Sequence, residues 1–171
     1  MSHSPSTTHE CVMKQDDFII SKTDTKGKIT YCNEIFMDMA MRNEEELLGK
    51  PHSIVRHPDM PKVVFKLLWE QVNAGKEIFA YVKNLAKDGS FYWVFANVTP
   101  SYDKYNNIIG FYSVRIKPNE KALEIVKPLY AKLLELESSG GIQASQTYLN
   151  NLLKEKGVSY DEFIITIQAE K

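Results

Sequence analysis

Residues 77–117 read EIFAYVKNLAKDGSFYWVFANVTPSYDKYNNIIGFYSVRIK, and the fold class follows from this stretch. Three runs rich in Val, Ile, Phe, Tyr and Trp are separated by Lys87-Asp88-Gly89-Ser90 and by a polar segment from Asp103 to Asn107. β-Branched and aromatic side chains favour strands, whereas Asp, Asn and Gly favour turns. The pattern predicts strands over 77–86, 91–101 and 108–117, joined as sequence-adjacent hairpins and therefore antiparallel.

Working upstream, Phe18 to Thr23 and Lys28 to Cys32 flank a turn at Thr25-Lys26-Gly27 and predict an opening hairpin. Asn33 can cap a helix in which Ile35, Phe36, Met39 and Ala40 share a face, and Asn43 can cap a shorter one stopped near Gly49. The segment from Lys50 to Pro61 holds Pro51, Pro58 and Pro61 and reads as irregular. Pro61 suits the first turn of a helix running to about residue 73, with Val64, Phe65, Leu68, Trp69 and Val72 at helical spacing. Two strands, short helices and three strands make an α+β domain: a five-stranded antiparallel sheet with helices over one face.

Beyond Asn119 the pattern is helical. Leu123, Val126, Tyr130 and Leu133 form a stripe that either packs on the chain's own sheet or serves signal transmission and a homodimer. Pro128 is expected to bend or restart this helix, Ser138-Ser139-Gly140-Gly141 to break it, and Ser159-Tyr160-Asp161-Glu162 to cap a last one. The expected organisation is a flexible arm over 1–16, the α+β domain over 17–118 and a helical extension over 119–171.

Composition narrows the function. The 171 residues carry a formal net charge of -1, so there is no basic excess to neutralise nucleic-acid phosphates. No apolar run is long enough to insert in a membrane, and the polar start does not read as a secretory signal. Two cysteines and four histidines show neither a disulfide framework nor zinc spacing, which points to a reduced, cytoplasmic compartment. No nucleophile elbow, P-loop or dinucleotide fingerprint is visible, so the residues alone single out no catalytic group.

Two features carry binding chemistry. By strand parity Ile78, Ala80, Val82, Asn84 and Ala86 share a face, as do Phe91, Trp93, Phe95 and Asn97, so each set places one amide among apolar groups. A buried amide either satisfies a strand or helix end or presents its donor and acceptor to a heterocycle. The loop Arg56-His57-Pro58-Asp59-Met60-Pro61 is the second feature: either a binding loop, with Arg56 set for a phosphate or carboxylate, or a capped entry to the next helix. The residues alone leave both alternatives open.

The run Val55-Arg56-His57-Pro58-Asp59-Met60-Pro61, with Val82-Lys83-Asn84, Lys87-Asp88-Gly89, Tyr92-Trp93-Val94, Ala96-Asn97 and Ser113-Val114-Arg115, resembles the PAS domain of bacterial aerotaxis receptors. The resemblance runs from about Thr23 to Pro118. It implies a PAS sensor, not an enzyme, that binds FAD non-covalently and reports redox or energy state to chemotaxis machinery. Arg56, His57, Asp59, Phe65, Trp69 and Asn84 match positions tied to flavin binding or signalling; Asn33, Tyr92, Trp93 and Asn97 match pocket positions more loosely. Ile78 stands where many of these receptors carry a tryptophan. The resemblance further implies a single-domain partner of a membrane chemoreceptor-type signalling protein. A haem or small-metabolite sensor using His52 or His57, and a ligand-free interaction scaffold, are the competing readings.

Overall fold

In the computed structural model, which describes residues 8–171, five strands form one antiparallel sheet in the order β2-β1-β5-β4-β3. They are β1 (Ile19–Thr23), β2 (Ile29–Cys32), β3 (Ile78–Leu85), β4 (Phe91–Tyr102) and β5 (Ile108–Ile116). The hairpins expected from the turn residues are present. The pairing that closes the sheet joins β1 to β5, with Ser21 opposite Ser113 and Ile19 opposite Arg115.

Between β2 and β3 lie α1 (Glu34–Ala40), α2 (Glu44–Leu47) and α3 (Lys62–Asn73), preceded by one 3₁₀ turn at His52–Val55 inside the proline-rich segment. Asn33 caps α1 and Asn43 forms a full capping box on α2. The loop after the 3₁₀ turn laces onto β3, which has no strand on its outer side. Arg56 bridges Asn84, and the His57 N–H donates to the Lys83 carbonyl at 3.4 Å. Covering an edge in this way removes a pairing surface and fixes Arg56 beside the sheet.

The other face of β3 and β4 is also buried. Helix α4 (Glu120–Lys156) buries Val126 and Leu133, both 0% exposed, in the same core, and α5 (Tyr160–Ala169) packs on β3. The Tyr130 hydroxyl donates to the Tyr81 carbonyl at 2.6 Å, and its ring lies 6.0 Å from that of Trp93. The stripe expected to serve own-sheet packing or a dimer seam is therefore buried in the chain's own core, with Tyr130 on the sheet. The helix runs on through Pro128 and breaks at Gly141, whose φ of 71° and ψ of -172° suit only glycine.

The expected flexible arm is corrected where the structure describes it. Phe91 N–H donates to the His9 carbonyl and Cys11 N–H to the Phe91 carbonyl, at 3.0 and 2.8 Å, and Met13 is only 2% exposed. Unpaired backbone groups at the start of β4 recruit this polar segment, and one methionine anchors it. The rest of the arm, residues 1–7, lies outside the described residues.

Candidate ligand-binding site

The reach from β3 to β4 is a hairpin with an odd number of turn residues, Gly89 supplying the positive φ of 89°. Its register puts Asn84 opposite Tyr92 and Val82 opposite Val94. Even-numbered residues of both strands therefore share the face beneath α1–α3. That face and α3 enclose a cavity of about 230 Å³, lined by Val82, Asn84, Ala96, Val98, Phe111, Ser113 and Arg115 from the sheet and by Phe65, Leu68 and Trp69 from α3. Lys26, Gly27, His52 and Arg56 complete it. At Gly27 a Cβ would come within 3.1 Å of the Trp69 indole, so a side chain there would crowd the cavity wall. Trp69 meets Phe111 edge-on at 5.5 Å, and the Arg56 guanidinium lies 3.9 Å from the Phe65 ring centroid.

One end of the cavity is a polar knot. Arg115, 3% exposed, donates to the Ser21 hydroxyl at 2.6 Å and to His52 Nε2 at 2.8 Å, above the Phe36 ring at 4.7 Å. Its Nε is buried with no partner, and no carboxylate pairs with it among the described residues. Burial lowers the guanidinium to about 10, so it remains a cation at neutral pH. Burial first, and the Arg115 charge second, push His52 down to about 3 and keep it a neutral acceptor. Asn84 is 4% exposed and pairs with the Tyr92 hydroxyl, which burial raises to about 12. No acidic side chain lines the cavity among the described residues, so it presents positive charge and one amide to whatever enters.

Of the residues singled out from sequence, Arg56, Phe65, Trp69 and Asn84 meet at this cavity. Tyr92 lies on the same face but is buried behind Asn84. Asn33 is occupied as a cap, accepting from the Ile20 and Phe36 N–H groups at 3.0 and 3.1 Å. His57 accepts from the Asp59 N–H at 3.0 Å and faces Phe91, while the Asp59 carboxylate bonds Lys83 at 2.9 Å on the surface. Trp93 and Asn97 are corrected: they sit on the opposite face, Trp93 under α4 and Asn97 bonded to Glu77 at 3.2 Å. Parity within β4 was right, but its phase against β3 depends on the odd turn. Ser21, His52 and Arg115 are the group that sequence reasoning did not assemble. The spacing of Phe111, Ser113 and Arg115, alternate residues of one strand, held the signal.

Known proteins fit this geometry. Residues 29–115, from β2 to the end of β5, match the family described as PAS fold. The chain belongs to the PAS-fold family. This PAS chain is 36% identical over 132 residues to the aerotaxis receptor of Escherichia coli K12, a match covering 77% of the chain and 26% of the receptor. The chain spans between 14% and 26% of the length of the curated relatives it matches. Among solved structures it resembles a light-oxygen-voltage domain studied with a flavin analogue, at TM-score 0.57 and 20% identity over 65% of this chain and 83% of that one. It also resembles the PAS domain of the fruit-fly ELK potassium channel, at TM-score 0.52 and 15% identity over 58% and 85%. These structural likenesses show the fold.

The lowered value of His52 predicts that this PAS domain loses stability in acid. Its folded value of about 3 lies below the ordinary 6.5, so the unfolded chain binds the proton more readily. That contribution to stability is complete above about pH 6.5 and is lost as pH falls toward 3, by up to about 1.4 kcal/mol per unit. His57 is shifted the same way, mainly by burial. Urea midpoints at pH 7.5 and pH 5 are expected to separate clearly in the wild type and by less in His52→Gln. An equal separation in both would show that His52 does not carry the effect.

Proposed function

We propose that this PAS domain is a cytoplasmic redox sensor that holds FAD non-covalently in the cavity and relays its state to a membrane chemoreceptor-type partner, without catalysis. The observation that carries the reading is the pairing of the Asn84 amide and the unpaired Arg115 Nε with an aromatic wall of Trp69 and Phe65. Such a site suits a flat heterocycle with a polar edge. Ligand pockets usually measure about 300–1,000 Å³. A cavity of about 230 Å³ suits a ring system rather than an enclosed dinucleotide, leaving the phosphates to the positive mouth at Lys26 and Arg56. The likeness to the aerotaxis receptor supports a sensing role of that kind.

Bound flavin would supply reversible uptake of electrons and protons. The chain's part is to register the change: Asn84 can turn its amide between the Tyr92 hydroxyl and the cavity, and Arg115 can offer its free N–H to added negative charge. The competing readings lack such support. A haem would need an imidazole nitrogen, yet His52 Nε2 is engaged by Arg115 and Ser21, and His57 faces Phe91. Ile78 does not fill the cavity either; it is 0% exposed against Val72 and Phe111. No described helix is long and apolar enough to cross a membrane, which is compatible with a separate membrane partner.

Titration of ligand-free protein with FAD, riboflavin and haemin tests the assignment. FAD is expected to bind one to one, about tenfold or more tighter than riboflavin, because charge-assisted contacts at the mouth are lost without phosphates. Haemin binding with no uptake of FAD would overturn it.

A further inference from the structure

The N-terminus of α3 has no cap of its own: Pro61 provides no side-chain bond, and the first turn contains no acid. Its N–H groups are held from elsewhere. Lys62 N–H donates to Glu137 Oε1 at 2.6 Å and Val63 N–H to Oε2 at 3.0 Å, across more than seventy residues of chain. A carboxylate is the ligand that this positive helix end favours. The same Glu137 oxygen accepts the hydroxyl of Ser145 at 2.8 Å, and Ser145 is fully buried. Lys66 of α3 also donates to Gln146.

The contacts fall on both sides of the break at Gly141. Glu137 precedes the glycine and Ser145 and Gln146 follow it, and a Cβ at Gly140 would press to 2.8 Å from that of Ala144. The backbone can break there because Gly141 takes a conformation open only to glycine. On α3, Phe65, Leu68 and Trp69 belong to the cavity wall within two turns of the held N–H groups. One carboxylate thus joins the cavity wall, the first part of α4 and the part beyond the break.

We propose that Glu137 is a latch coupling the cavity wall to the docking of residues 142–156. A ligand that displaces α3 weakens the two N–H contacts and, through Ser145, frees the segment beyond Gly141. Release of that segment then pulls on the cavity wall, since coupling between two sites is reciprocal. The device does not depend on the cavity's ligand being FAD.

The reciprocal direction can be tested on the full chain without ligand. Two tryptophans occur, Trp69 on the cavity wall and Trp93 on the opposite sheet face, so 5-fluorotryptophan labelling yields two fluorine signals. In Glu137→Ala, amide exchange over 142–156 and at the start of α3 is expected to quicken about fivefold, as for loss of a helix cap. The Trp69 fluorine signal is expected to shift or broaden, and Glu137→Gln to restore part of both effects. Ser145→Ala is expected to quicken exchange over 142–156 and to move the Trp69 signal less. Faster exchange over 142–156 with an unmoved Trp69 signal would reduce Glu137 to a local cap and overturn the latch. Uniformly faster exchange through the whole chain, or no change, would overturn it as well.

Discussion

Asn84→Ala is expected to weaken FAD binding by roughly 5- to 150-fold, the range for leaving a buried hydrogen-bond partner unsatisfied. Two losses combine. The ligand edge loses a group that both donates and accepts, and the Tyr92 hydroxyl behind it loses its partner. Asn97→Ala is the matching control, because Asn97 is the amide on the opposite face and its side chain bonds Glu77 and the Ile78 carbonyl. It is expected to leave the dissociation constant within about twofold, as for surface changes away from a site. The comparison isolates the register of β3 on β4: equal losses in the two variants, measured by flavin fluorescence titration, would contradict the assignment of faces.

Leu133→Ala is expected to cost about 2–5 kcal/mol, because Leu133 is 0% exposed in the chain's own core. For a chain of this size that lowers the melting temperature by roughly 4–20 °C. Ile125 on the same helix is 41% exposed, and Ile125→Ala is expected to change stability by about 0.5 kcal/mol or less. The loss at Leu133 should be the same at dilute and concentrated protein, because its partners belong to the same chain. A loss that vanishes on dilution, with the wild type melting lower there too, would instead place the stripe in an interface between copies.

Much of the fold was legible because its signals are local. Turn chemistry at Lys87 to Ser90 and Asp103 to Asn107, caps at Asn33, Asn43 and Ser159, and helical spacing on α3 each declare themselves within a few residues. The site was legible only in part, since it depends on register. Whether Tyr92 or Trp93 stands beside Asn84 turns on the parity of one hairpin loop, and a slip of one residue exchanges the faces. The knot of Ser21, His52 and Arg115 needs the pairing of β1 with β5, which joins strands nearly a hundred residues apart. Asn33 carried two meanings, and its amide is taken up by the cap on Phe36 and by backbone groups of Ile20 and Phe18. The apolar outer face of β3 and β4 could equally have served a partner or the chain's own helices. Tyr130, bonded to Tyr81, gives that face to α4.

The most direct measurement is the absorbance spectrum of the purified chain, with mass analysis of whatever small molecule is released on heating. Flavin bands and a released mass equal to FAD are expected, both absent after Asn84→Ala with dilute washing. A Soret band, or a folded colourless chain that takes up no added FAD, would contradict it.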